Sequence, residues 1–347
     1  MKRIFVCSAI FALFALAACT SVSENFANAG AMENATVDIT IRLTPDARRE
    51  ITVHAEIPIP DVIESIGFLS SATAQVNISS PDPTSLQLTA NCSVTFTQPV
   101  DQNTDMMLAE IALMYSMTPS IIDSQLQQFI GPFIENFSDE LPELSDLQLE
   151  NVSVTSFNWQ SPTLTAGASM TLSGTIFDNQ KLRDELPISL NENINISQTT
   201  ATLRVDGSSK NYNGWIEIVA TTETLTIDGF ISSSLTVVGE NVEADIGLDL
   251  PADVGNLLDG TNTTVTLIVP EGTSIEDMMP GFTQEGSSYT WERDNGASLI
   301  VDITAGQPLA RVSYTYVPPS SAWLIIAALI AIIVPIAVAG IILWRRR

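Results

Sequence analysis

The chain has 347 residues, 40 of them acidic and 14 basic, with one histidine, three cysteines and a formal net charge of −26. A surface of that sign repels nucleic acid and anionic headgroups, so no nucleic-acid partner is expected. With so few cysteines, stability has to come from burial, for which a chain of this length is ample.

The amino end reads as an export signal. Lys2 and Arg3 form a basic start, and Ile4 to Leu16 form an apolar run. Leu16-Ala17-Ala18-Cys19 then resembles the lipobox of prokaryotic lipoproteins, which implies that Cys19 is lipidated and becomes the first residue. Ordinary cleavage after Ala17 or Ala29 is the competing reading. Residues 1–19 are therefore expected to be a signal peptide with lipobox, and residues 20–33 a small, polar tether.

Period-two patterns begin beyond the tether. Val37, Ile39, Ile41 and Leu43 alternate with polar residues, and after a turn at Thr44-Pro45-Asp46 so do Ile51, Val53, Ala55 and Ile57. The same alternation from Leu86 to Thr97 sends Leu88, Ala90, Cys92, Val94 and Phe96 to one face and Asn91 to the other. The pattern breaks at residues 104–137, which read as a helical insertion. Asp105 to Met117 is almost wholly apolar and too short to span a bilayer, so it is expected to be a buried core helix. Thr118-Pro119 would start a second helix, with Ile121, Ile122, Leu126, Phe129 and Ile130 toward one side.

Strands resume with Leu164, Ala166, Ala168, Met170, Leu172 and Ile176 at even parity. Further strands are expected over 202–206, 215–219, 223–227, 242–250, 264–269, 289–292, 299–303 and 311–317, with Asp294-Asn295-Gly296 as a hairpin turn. The Gly/Ser/Asn-rich stretch from Asp206 to Asn213 suggests a boundary. Residues 34–206 would then be a β domain with the helical insertion, and residues 207–317 a membrane-proximal β-sandwich. Pro318 to Ser321 reads as a stalk. Ala322 to Trp344 is free of charge and about 32 Å long as a helix, and arginines 345–347 follow it. The expectation is one C-terminal transmembrane helix (322–344) with a cytoplasmic tail (345–347). All 40 acids but only nine of the 14 basic residues lie between the two apolar ends, so the ectodomain carries about −31. The fold class expected is thus mainly β, an antiparallel sandwich or barrel-like ectodomain with a helical insertion and one transmembrane helix.

Candidate sites are few. Seven Asn-x-Ser/Thr sequons, at Asn34, Asn77, Asn91, Asn136, Asn151, Asn195 and Asn262, are candidate N-glycosylation sites on an exported surface. His54, the sole histidine, falls on the wet face of a strand, while Cys92 has inward parity, so no His-based nucleophile pair is expected. No HExxH, CxxC, GxSxG or GxxxxGK[ST] motif occurs. Asp101-Gln-Asn103-Thr-Asp105 has calcium-loop oxygen spacing, but Met106 and Ala112 stand where such a loop needs Gly and Glu. No catalytic residue, cofactor or metal ligand is assigned.

The run Thr264 to Gly272, then Tyr289-Thr-Trp291, Leu299 to Ile303 and Val312 to Tyr316, leads straight into the apolar terminus. With the lipobox, that order resembles LppM-type envelope lipoproteins. The resemblance implies a β-rich, membrane-anchored envelope protein of no assigned chemistry. It does not extend to the 104–137 insertion or the heavy acidity. The expected function is non-enzymatic: an envelope-structural, adhesive or partner-binding role at the cell membrane. The partners would be membrane lipid, through the transmembrane helix and Cys19, and an unidentified extracellular or envelope protein. The alternative is a carrier of lipid or another apolar ligand in which the 104–137 helices close a β cavity. An extracytoplasmic hydrolase is the third reading, disfavoured by the missing motifs.

Overall fold

The computed structural model describes residues 35–58, 69–82, 84–121, 123–124, 127–128, 148–174, 188–246, 261–293 and 308–317. The first half holds β1 (Thr36–Thr44), β2 (Arg48–Pro58), β3 (Leu69–Asp82), β4 (Ser85–Phe96), α1 (Gln102–Met117), β5 (Gln148–Gln160) and β6 (Thr163–Ser173). A meander follows through β7 (Ile188–Ser197), β8 (Thr200–Ser208), β9 (Tyr212–Thr221) and β10 (Thr224–Ser234). The remainder is β11 (Val237–Val238), β12 (Asn241–Ile246), β13 (Asn262–Ile268), β14 (Ser274–Met278), β15 (Thr283–Glu285), β16 (Ser288–Arg293) and β17 (Ala310–Thr315).

Two sheets result. Thirteen strands form one sheet in the order β15-β16-β13-β1-β2-β10-β9-β8-β7-β3-β4-β6-β5, and four form a second, β11-β12-β17-β14. The mainly-β expectation holds, but the fold class is corrected in two respects. The large sheet is mixed, because β1 runs parallel to β13 from Thr36↔Asn262 to Arg42↔Ile268. Alternation within a strand reports which face is buried and carries no information about the direction of a neighbour 226 residues away, so the parallel pair could not be read from it. Second, among the described residues no helix is long and apolar enough to cross a membrane. The expected span at 322–344 lies outside the described residues, as do the signal, tether, stalk, cytoplasmic tail, the 299–303 strand and the Asp294 turn.

The alternation seen in the sequence sets the faces. Val37, Ile39, Ile41 and Leu43 of β1 are all buried, and their polar neighbours are not. They pack with Val265, Leu267 and Trp291 of the large sheet against Val242, Ile246, Ala310, Val312 and Tyr314 of the small one. This is a β-sandwich, restricted to one end of the large sheet and drawing strands from both ends of the chain. Each fully buried branched side chain there contributes about 1.5–3 kcal/mol. The Asp206–Asn213 stretch, read as a boundary, is the tip of the β8–β9 hairpin, with its turn at residues 209–211. Pairing runs on both sides of it, from Thr200↔Thr221 to Ser208↔Asn213.

α1 sits at the opposite end. Asp101 caps it, accepting from the Asn103 and Thr104 amides at 3.1 Å each. The acid-rich spacing at 101–105 is therefore a helix start: Asp105 is inside the helix and accepts from Trp159 Nε1 at 2.9 Å. The expectation of a buried helix is corrected. Leu108 and Ile111 are buried, but Met106, Leu113, Met117 and Ile121 are 57%, 60%, 73% and 52% exposed. A helix apolar on every side that meets one sheet can bury only one side. Helical backbone resumes at residue 119, where Pro119 was expected to start a helix; Ile122, Leu126, Phe129 and Ile130 lie outside the described residues.

α1 and the residues after it also protect the edge of β5, the last strand of the sheet among the described residues. The Tyr115 hydroxyl donates to Val154 O at 3.0 Å, and the Val154 amide donates to Asp123 Oδ1 at 2.8 Å. These two bonds satisfy edge groups that would otherwise template another strand.

Candidate functional site

In an antiparallel ladder, directly paired residues share a face, so the registers assemble each face row by row. One row runs Val265, Ile39, Val53, Gly229, Ile216, Val205, Glu192, Val76, Ala90 and Ala168. The next runs Val37, Ala55, Ile227, Ile218, Leu203, Ile194, Ala74, Cys92 and Ala166, and ends at Phe157 on β5. A third runs Leu267, Ile41, Ile51, Ile231, Gly214, Gly207, Leu190, Ile78, Leu88 and Met170. One face is thus apolar across nearly the whole sheet.

That face is covered unequally. The small sheet covers it from β16 to β2, and α1 meets it at β5, where Tyr115 and Phe157 lie 6.5 Å apart. From β10 to β7 the buried apolar side chains are Ala220 and Leu225, which join Ala35 and Ile57 in a small cluster at the strand ends. Ile216 and Ile231 are 41% and 52% exposed. Val205, Leu203, Ile194, Leu190, Val76 and Ile78 are partly exposed. Two charged residues share this face between β2 and β5: Glu192, flanked in its row by Val205 and Val76, and Arg49. Glu192 occupies an apolar slot in the alternation Ile188, Leu190, Glu192, Ile194, Ile196, which is the signal by which the sequence could have shown it.

The other face is polar. Asp38, His54, Asp228, Glu217, Arg204, Asn193, Gln75 and Asn91 form one row, and Thr52, Phe230, Trp215, Asp206, Asn191, Asn77 and Thr89 the next. Arg204 stacks over Trp215 at 4.5 Å, donates to Asp206 and sits 3.6 Å from Glu217. His54 lies on the wet face as expected and hydrogen-bonds Asp228 at 2.7 Å, which raises its pKa. The pairing of His54 is with a carboxylate and no nucleophile. Cys92 lies on the apolar face, where desolvation pushes its thiol pKa up and makes it a poor nucleophile.

Asn77, Asn91, Asn151, Asn195 and Asn262 stand on strands at polar-face positions, Asn77 half-buried and the rest exposed. The Asn91 amide lies over Gly167, where a Cβ would meet its Oδ1 at 2.6 Å, so a side chain there would make Asn91 shift. Asn34, Asn136 and Cys19 lie outside the described residues. Among the described residues no group of three His, Cys, Asp or Glu side chains is placed to hold a metal ion.

No family model and no curated protein matches the chain. Among solved structures it is similar to an M1 zinc metallopeptidase from Deinococcus radiodurans, at 6% identity and TM-score 0.19; it covers 82% of this chain and 41% of that one. The green fluorescent protein lanGFP of Branchiostoma lanceolatum gives 4% identity and TM-score 0.14, over 58% of this chain and 97% of that one. A KdgM porin in complex with disordered oligogalacturonate gives 8% and 0.12, over 55% and 98%. Scores this low carry no argument about fold or function.

Proposed function

We propose that the chain is an exported, non-enzymatic protein of the cell envelope that holds an apolar ligand against the stretch of sheet from β10 to β3. The observation that supports this reading is the exposure of Ile216 and Ile231, 41% and 52%, in the middle of a continuous apolar face. Leaving such a face in water costs about 25 cal/mol for each Å². Extended exposed apolar patches mark interaction or ligand sites. The export signal and Cys19 lipobox support a location beside membranes, where apolar ligands are found.

A second reading, adhesion or partner binding, rests on the opposite face, where Trp215 and Phe230 pair among Asn, Thr and charged side chains. The two readings separate in a titration with the neutral fluorophore N-phenyl-1-naphthylamine. Saturable binding that Ile216→Glu weakens about tenfold or more, with the fold retained, is expected, because a carboxylate desolvated under an apolar ligand is penalised heavily. An absence of binding, or binding indifferent to that substitution, would leave adhesion as the better reading.

A further inference from the structure

Arg49 stands on the apolar face, in the row Leu43, Arg49, Ser233, Tyr212 that runs beside Ile41, Ile51, Ile231, Gly214. It therefore borders the place where the exposed stretch begins, next to Ile231 at 52% exposure. Its Nε is buried and makes no hydrogen bond to any described residue. That is unusual in a chain with 40 acidic residues. Arg204 pairs with Asp206 and Glu217, Arg311 with Asp245, and Arg48 bonds Ser232 and Asn213. The Nε is closed to solvent, so a ligand on this face would meet the outer guanidinium nitrogens of the part-exposed side chain, whose charge is not paired with any described carboxylate.

The row beside it is an unbroken apolar track across five strands. Gly214 and Gly207 are neighbours across β9 and β8, so two adjacent strands contribute no side chain there. Ile231 on one side and Leu190 on the other lean over them: a Cβ on Gly214 would meet Ile231 Cγ1 at 3.1 Å, and one on Gly207 would meet Leu190 Cδ2 at 3.0 Å. From β10 to β3 the row spans four strand spacings, about 19 Å, the reach of a long acyl tail.

Resting on the apolar-ligand reading, we propose that the ligand is a long-chain carboxylate whose head is held by Arg49 and whose tail lies along Ile231, Gly214, Gly207, Leu190 and Ile78. A guanidinium offers the two oxygens of a carboxylate two parallel N–H donors, a fit that a point-charge ammonium lacks. Glu192, one row away on β7, repels an anionic head and so sets the direction: head at β2, tail toward β3. A phosphate head carries more charge and calls for several cationic donors, and Arg49 is the one cation on this face between β2 and β5.

The test uses the purified full chain and three probes: cis-parinaric acid, the corresponding alcohol, and an alkyl phosphate as competitor. The wild type should bind the acid about tenfold or more tightly than the alcohol, the range for a charge-assisted bidentate pair. Arg49→Gln should weaken acid binding far more than alcohol binding and so remove that preference, with an unchanged thermal unfolding midpoint showing that the variant is folded. Arg49→Lys should keep part of the preference. Equal affinities in the wild type, a preference that survives Arg49→Gln, or stronger competition by the alkyl phosphate would overturn the carboxylate assignment alone. If neither acid nor alcohol binds, the apolar-ligand reading itself fails.

Discussion

Two nearby stretches of the large sheet, β1 and the β9–β10 pair, are built from the same alternation and finish in opposite states. In β1, Ile39 and Ile41 are 4% and 0% exposed, sealed beneath Val242, Val312 and Tyr314. In β9 and β10, Ile216 and Ile231 occupy the same face of the same sheet and remain 41% and 52% exposed. The sequences differ little, TVDITIRLT against TLTIDGFISSS. What differs, among the described residues, is the presence of a second layer. Alternation tells a strand which side is apolar, and the long-range assembly of β12, β14 and β17 decides where that side becomes a core. An apolar face without a layer is either a liability or a binding surface.

The sharpest test of that contrast is a matched pair of truncations. Trp291 is 2% exposed at the centre of the sandwich, so Trp291→Ala should cost about 3–5 kcal/mol, the range for emptying a large aromatic site. Ile231→Ala, half-exposed on the same face, should cost less than about 1 kcal/mol. Urea unfolding of both variants measures the difference. Equal losses would mean that β10 is as enclosed as β16, and the distinction between the two regions would collapse.

How far the sequence could be read follows the same line. The β1–β2 hairpin, β4, β6 and the inward parity of Cys92 were legible because one face alternates without interruption. β5 was not: Leu149, Val152, Val154, Phe157 and Trp159 change parity twice, and bulges at 149/151 and 154/156 restore them to one face. β3 escaped because its first apolar-face positions are alanine, as in Ser71-Ala72-Thr73-Ala74, which gives weak contrast before Val76 and Ile78. The candidate site was less legible still. Trp215 and Arg204, or Arg49 and Ile231, become neighbours only through pairings that no local pattern encodes.

A second pair of substitutions tests α1, where the sequence reading failed. Ile111 is 6% exposed and faces β5, so Ile111→Asp buries a charge without a partner and should cost several kcal/mol. Leu113, at 60% exposure, should tolerate Asp within about 0.5 kcal/mol. A collapse of the fold by Leu113→Asp would restore the core-helix reading that the structure corrects. Thermal unfolding of the two variants side by side is sufficient.

The smallest effect concerns the polar face, and it carries a sign. His54 is the one histidine of the chain, so a single imidazole resonance reports it in solution. Its pKa is raised above the ordinary 6.5, first by the hydrogen bond to Asp228 and further by the charges of Asp228, Asp38 and Glu56, against a desolvation that lowers it. A group whose folded pKa is raised binds its proton more tightly in the folded state. Its contribution is therefore complete below the unfolded pKa and is lost as pH rises through the folded one. Both side chains are well exposed, at 48% and 38%, so solvent and salt screen the pair, and its contribution should be a few tenths of a kcal/mol at most. Stability should then fall slightly as pH rises past 6.5, and His54→Gln should flatten that slope while leaving the contrast between Trp291 and Ile231 untouched. Asp228→Asn should move the imidazole titration back toward 6.5. A titration that stays raised in Asp228→Asn would assign the shift to Asp38 and Glu56, and would mean that the 2.7 Å contact contributes nothing in solution.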